Sequence, residues 1–150
     1  MTTIIKKATK DERDIIVSNN CAMAQETEGI TLELKIAEQG ADRVLADPSN
    51  GFYLVIEQES NILGQCLITY EWSDWRNGNY WWIQSVYILP AFRRTRLFSK
   101  LYHFIRSEAE RSKEFVGLRL YVDENNLPAM ATYESLGFGS SHYWMFETDI

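Results

Sequence analysis

The segment Val86-Tyr87-Ile88-Leu89-Pro90-Ala91-Phe92-Arg93-Arg94-Thr95-Arg96-Leu97-Phe98 passes from an apolar run, through a proline and three arginines, into an amphipathic stretch. The first amides of a helix have no intrahelical acceptors and lie at the positive end of its dipole, so a strand, turn and helix in this order can hold a pyrophosphate. Arg93, Arg94 and Arg96 add positive charge at the end where the dipole disfavours it, an arrangement that an anionic ligand would explain. A second group interleaves acids and aromatics: Glu71-Trp72-Ser73-Asp74-Trp75-Arg76, followed by Tyr80, Trp81 and Trp82. Carboxylates beside aromatic faces suit an ammonium group, and the same tryptophans equally suit a core or a dimer surface. Gln84, polar within a strand, is placed to hold a water or to be a satisfied core amide.

The elements that must position these residues follow from periodicity. Residues 3–8 read as a strand, and a helix opens near Lys10 with Thr9 or Asp11 as cap and stops at Gly29. Thr31 is the expected cap of a second helix, bent or broken at Gly40 and ended by Asp47-Pro48. From Gly51 the period changes to two: FYLVIEQ, a turn at Ser60-Asn61, ILGQCLITYEW, a turn at residues 76–79, and YWWIQSVYIL predict a three-strand antiparallel meander. Leu97, Leu101, Phe104, Ile105 and Ala109 predict a helix within 94–112. VGLRLYV predicts a strand over 116–122, residues 127–136 a short helix, and HYWMFET a last strand. The order β-α-α-β-β-β-α-β-α-β predicts an α/β fold: a mixed sheet flanked by helices.

A chain of 150 residues fits one domain spanning 1–150, and 45% hydrophobic with 24% charged residues is a globular composition. The net charge of −6 argues against a nucleic-acid partner and permits a cationic one. No apolar run approaches the ~20 residues that span a bilayer, and no signal-like stretch opens the chain, so no membrane partner and a cytoplasmic location are expected. Cys21, Cys66, His103 and His142 show no ligand spacing, so neither a metal nor a disulfide is expected. Cys66 reads as a buried structural thiol.

Two stretches together resemble the GNAT superfamily of N-acetyltransferases. Val86 to Leu101 is similar to the family's signature, in which a strand ends near a proline and a Q/R-x-x-G-x-G/A loop wraps the CoA pyrophosphate; Arg93 falls on its first position. Asn126-Leu127-Pro128-Ala129, with Tyr133, Gly137 and Phe138, resembles the N-x-x-A-x-x-x-Y-x-x-x-G-F stretch. The two small loop positions fall on Arg96 and Phe98, although a regular helix start needs no positive φ and can still offer its amides. The resemblance covers about 60 residues strongly and otherwise rests on element order.

The resemblance implies a single GNAT-like domain and a cytoplasmic acyltransferase that moves an acetyl group from acetyl-CoA to an amine by direct attack. Val86, Tyr87 and Ile88 would bind the pantetheine arm through their backbone, as an added strand does. Arg93, Arg94, Thr95, Arg96, Leu97, Phe98 and Ser99 would hold the pyrophosphate, and Asn126 would reach the pantetheine region. Tyr133 would lie near the sulfur as general acid, since a phenol titrates near ~10 and a thiol near ~8.5. An alkylamine with a pKa of ~10.4 must lose a proton at pH 7, which costs about 4 to 5 kcal/mol. Glu71 is the expected catalytic carboxylate, and Glu26, Glu28, Asp74, Trp75 and Gln84 the expected substrate contacts. The partner is then a small-molecule or lysine-bearing amine, and a homodimer fits the tryptophan-rich strands. The alternative is a non-catalytic acyl-CoA-binding or regulatory domain on the same fold.

Overall fold

In the computed structural model, which describes residues 2–150, the chain opens with strand β1 (Thr3–Lys7). Thr9 then forms a capping box: its hydroxyl accepts from the Asp11 amide, and the Glu12 carboxylate accepts from the Thr9 amide at 2.7 Å. A 3-10 turn at Lys10–Glu12 leads into helix α1 (Arg13–Glu28), which Gly29 ends in the left-handed conformation at φ 64°. Helix α2 (Leu34–Ala46) starts after Glu33 without a side-chain cap, and Thr31 donates instead to Gln25. The expected break at Gly40 does not occur. A single glycine costs a helix only ~1 kcal/mol, and the buried Ala41 beside it anchors α2 in the core.

Strands β2 (Phe52–Gln58), β3 (Asn61–Ser73) and β4 (Gly78–Ile88) form the meander, and β1 adds to β2, all antiparallel. The β2–β3 turn sits one residue earlier than expected, with Glu59 and Ser60 both at positive φ (50° and 66°), the backbone of a tight two-residue hairpin. Helix α3 (Leu97–Glu110) carries the chain over to β5 (Phe115–Leu120), parallel to β4, which completes the order β1-β2-β3-β4-β5.

Alternation divides the sheet into two faces. On one, Tyr53, Val55 and Leu67 pack against Ile16 and Val17 of α1 and Ala41 of α2. Gln65 is fully buried on this face. Its Oε1 accepts from Asn19 at 3.0 Å and its Nε2 donates to Asn20 at 2.9 Å, which fixes α1 on β3 through a satisfied polar network. The other face carries the buried Leu54, Ile56, Cys66, Ile68 and Ile83, which leaves α3, with its buried stripe of Leu97, Leu101, Ile105 and Ala109, to cover it. Trp81 belongs to that face too, edge-on to Phe52, Tyr70 and Phe115.

These elements make up one compact unit, Met1–Leu120; Tyr121–Ile150 forms a second. Within the second, helix α4 (Leu127–Ser135) is capped by Asn126, whose Oδ1 accepts from the Ala129 amide at 3.2 Å. Gly137, at φ 97°, ends it, and the Phe138 amide bonds back to the Tyr133 carbonyl. The last strand expected at HYWMFET does not form: residues 142–148 join no ladder, and Trp144 and Phe146 are 87% and 89% exposed. Strand propensity measures fit to a paired, half-buried surface, and that surface is not supplied to this segment. Among the described residues no helix is long and apolar enough to cross a membrane.

Replacing Gln65 by Leu keeps the bulk but leaves the buried Asn19 amide without its acceptor and removes the donor to the half-buried Asn20. The expected loss is about 2–4 kcal/mol in urea unfolding; a loss below ~1 kcal/mol would mean that the network does not hold α1 in place.

Candidate active site

Strand β4 changes character at Ser85. Leu67 pairs with Gln84 and Gln65 with Tyr87, so Ser85 and Val86 together oppose Cys66 alone. This is a bulge, and Ser85 carries its strain at φ 49°. On the other side of β4, pairing with β5 runs from Asn79 to Ile83 and stops there. From Gln84 to Ile88 the strand therefore keeps its β3 neighbour but has no β5 partner, and its edge on that side offers backbone donors and acceptors to an incoming extended group.

The same strand leads through the 3-10 turn Pro90–Phe92 into the arginine loop. Arg94 and Arg96 both adopt the left-handed conformation, at φ 64° and 63°, so the expectation of a regular helix start without positive φ is corrected here. Arg96 is the residue before α3, and no side chain caps that end. Thr95 donates to the Phe92 carbonyl and braces the turn. Among the described residues Arg94 and Arg96 have no carboxylate partner, and both are exposed beside the positive end of α3.

Arg93 is held differently. Its Nη2 pairs with Glu26 at the end of α1 (2.8 Å), its Nε donates to the Ile88 carbonyl (2.9 Å), and its guanidinium lies over the Tyr87 ring. The Tyr87 hydroxyl donates to the other Glu26 oxygen at 2.9 Å. The Arg93 bond first, and the Tyr87 bond second, hold the Glu26 carboxyl below the usual carboxylate range. Glu26 is thus a brace for the loop. Glu28, two positions on, points elsewhere on the helix and is exposed.

Beyond the reach of α1 and α2, the face that carries Gln84 is polar and half-exposed. Gln84 donates to Thr69 at 3.1 Å, and Trp82 Nε1 donates to Glu71 Oε1 at 2.9 Å. Arg119 of β5 donates to Glu71 Oε2 at 2.7 Å and lies 3.6 Å from the centre of the Tyr80 ring. Tyr80 lies against Gly117, where an added Cβ would come within 2.9 Å of the ring. Asp74 and Trp75 do not join this group. They occupy the β3–β4 turn, seven residues of strand or ~23 Å from Ser85, and Trp75 is 84% exposed. Closeness to Glu71 in sequence misleads here, because each residue of strand adds ~3.3 Å and the faces alternate. Trp81, on the opposite face, is likewise separated from Trp82.

Sequence reasoning missed Ser85, Thr69 and Arg119. A charge inside the apolar run VGLRLYV was the available signal for Arg119; nothing in the residue types marks a bulge at Ser85.

The acetyltransferase (GNAT) family model matches residues 21–138, most of the chain. The chain belongs to the GNAT family. A possible acetyltransferase from Clostridium difficile 630 is similar at 39% identity and a TM-score of 0.93, covering 100% of this chain and 99% of its own. A predicted acetyltransferase from Clostridium acetobutylicum, solved with acetyl-CoA, shares the fold at 17% identity and a TM-score of 0.79, covering 98% and 96%. The sequence matches no curated protein.

In this GNAT chain Arg96 stands where the loop pattern has its first glycine, and it takes up a glycine-type backbone. In the second unit of the GNAT chain the oxygen of Asn126 is committed to capping α4, and the Tyr133 ring packs edge-on against Phe138. Burial holds the Tyr133 phenol above its usual range. Cys66 is fully buried, and burial pushes its thiol up to about 12, which removes it as a nucleophile at neutral pH.

Two outcomes test the loop. Arg96→Gly relieves left-handed strain of ~1–2 kcal/mol against a smaller gain of unfolded-chain entropy, so stability should hold or rise by up to ~1 kcal/mol; Arg96→Val should lower it by about 1–2 kcal/mol. Thermal unfolding in which valine is tolerated and glycine is not would contradict the backbone assignment. For Glu26 the folded pKa lies below the unfolded one, so its contribution is present above the ordinary carboxylate range and fades as pH falls through the folded value. A carbon-13 NMR titration should show the Glu26 midpoint moving up in Arg93→Gln; an unmoved midpoint would mean the pair does not persist in solution.

Proposed function

We propose that the protein is an acetyl-CoA-dependent N-acyltransferase. The observation that carries this reading is the open edge of β4 from Gln84 to Ile88, which leads through the Pro90–Phe92 turn into the left-handed arginine loop at the start of α3. The pantetheine arm would add to that edge as a strand, and the pyrophosphate would lie on the amides of Leu97, Phe98 and Ser99 with Arg94 and Arg96 as its counter-charges. Arg93, braced by Glu26, would shape the loop rather than carry the phosphate alone.

The acceptor amine attacks the thioester carbonyl carbon, the C–N bond forms, and the C–S bond breaks. The amine proton passes to water ordered by Gln84, whose amide is oriented by Thr69. The GNAT resemblance assigns the proton for the departing thiolate to Tyr133, whose phenol is protonated at neutral pH and is held above its ordinary range by burial. Both oxygens of Glu71 already accept from fixed donors, which suits it to anchoring a charged group rather than to collecting the proton.

Thermal unfolding with acetyl-CoA, free CoA and ATP, followed by thiol release with a panel of amines, tests the reading. At about 100 times its dissociation constant acetyl-CoA adds ~2.7 kcal/mol, a clear rise in Tm. Tyr133→Phe should keep that rise and lose about 10²-fold or more in turnover. A rise without thiol release from any amine would favour a non-catalytic acyl-CoA-binding domain, and no rise at millimolar acetyl-CoA would end both readings.

A further inference from the structure

Helix α1 meets the sheet through two polar contacts that share one of its faces. Asn19 donates to Gln65, and Glu26, about two turns further on, accepts from the Tyr87 hydroxyl. Gln65 and Tyr87 are themselves partners across β3 and β4, just beyond the bulge. The end of α1 is therefore fixed over the stretch of β4 that β5 does not reach.

Glu26 is an unfavourable residue for that end. The last turn of α1 holds Glu26 and Glu28 and no base, and a helix C-terminus disfavours negative charge. Arg93 supplies the missing positive charge from outside the helix, at 2.8 Å. The same guanidinium donates through Nε to the carbonyl of Ile88, the last residue of the open edge. One side chain thus joins the end of α1, the end of the β4 edge and the arginine loop that it opens.

This arrangement bears on which ligand Glu26 serves. An acceptor ammonium would have to displace a guanidinium that is held at a second point and lies over the Tyr87 ring, since Arg93 and Tyr87 take one Glu26 oxygen each. A donor gains from the pair as it stands. Its pantetheine arm and pyrophosphate are joined covalently, so the edge and the α3 start must be held at one spacing, and ordering them in advance removes that cost from binding. Both side chains stay about two-fifths exposed, and so wet a pair adds little to the stability of the fold, which makes its effect on the donor separable from folding.

We propose that Glu26 is a positioning residue for the acyl donor. Held by Tyr87 and acting through Arg93, it sets the arginine loop against the end of the β4 edge. This rests on the donor half of the acyltransferase reading above.

The test is the dissociation constant of acetyl-CoA, measured by calorimetry on the full chain as the native protein, Glu26→Gln, Arg93→Gln and the double variant. Glu26→Gln should weaken binding more than about threefold, and Arg93→Gln should weaken it further. Charge alone predicts the opposite for Glu26→Gln, because removing a negative charge beside an anion site tightens binding. The double variant should be no weaker than Arg93→Gln, since a brace that acts through Arg93 has nothing left to act on. Should Glu26→Gln fail to fold, Tyr87→Phe, which removes only the hydroxyl that holds Glu26, should weaken acetyl-CoA in the native background and not in Arg93→Gln. A smaller loss, no change or a tightening in Glu26→Gln, or a double variant weaker than Arg93→Gln by the full Glu26→Gln factor, would overturn the positioning role and leave the acyl-CoA site standing. No binding of acetyl-CoA by the native protein would remove the acyltransferase reading and this proposal with it.

Discussion

Strand β4 loses its register with β3 at Ser85–Val86, where two residues stand opposite one, just past Ile83, the last residue that pairs with β5. The features at this end of the sheet gather around that break. Beyond Ile83 β4 keeps only its β3 neighbour, because β5 ends at Leu120, so a strand of the sheet interior becomes an edge over its last residues. The break also reverses the facing of the strand, which turns Tyr87 toward α1 and brings its hydroxyl to Glu26, and Glu26 in turn to Arg93. The open edge and the braced loop thus meet at one insertion, and Ser85 holds it at a φ that side chains rarely adopt.

In the loop, arginine holds a backbone conformation that glycine adopts more cheaply. Glycine reaches the left-handed region without steric cost, and arginine does not. Arg94 and Arg96 nonetheless occupy it, with the chain held on both sides by the Pro90–Phe92 turn and the first turn of α3. Strain of ~1–2 kcal/mol at each is small against the packing of the Leu97, Leu101 and Ile105 stripe that α3 buries, so tertiary burial dictates the local conformation. What the arginines add is charge that the helix dipole opposes, which is a cost to the free protein and an advantage once an anion is present.

Much of the fold could be read from the sequence because its signals are strong and local. The change of period at Gly51 marks the meander, Thr9 and Gly29 bracket the first helical segment, and the stripe from Leu97 to Ala109 marks α3. Gly40 and the last strand were misread for one reason: propensity carries no knowledge of what a segment packs against. The site was legible in part. Its basic turn and Gln84 announce themselves by type, whereas Arg119 enters only through the register of β5 with β4, and Asp74 and Trp75 drop out through the same register. Face and distance along a strand are set by pairing, which residue types do not encode.

Amide hydrogen exchange with and without acetyl-CoA tests the central claim most directly, since the claim concerns backbone donors at two named places. Protection on binding should rise at Ser85–Ile88 and at Leu97–Ser99, with little change in the β1–β2 pair. Protection confined to other segments, or binding that leaves both sets of amides exchanging as before, would contradict the assignment of the β4 edge and the α3 start as the acyl-CoA site.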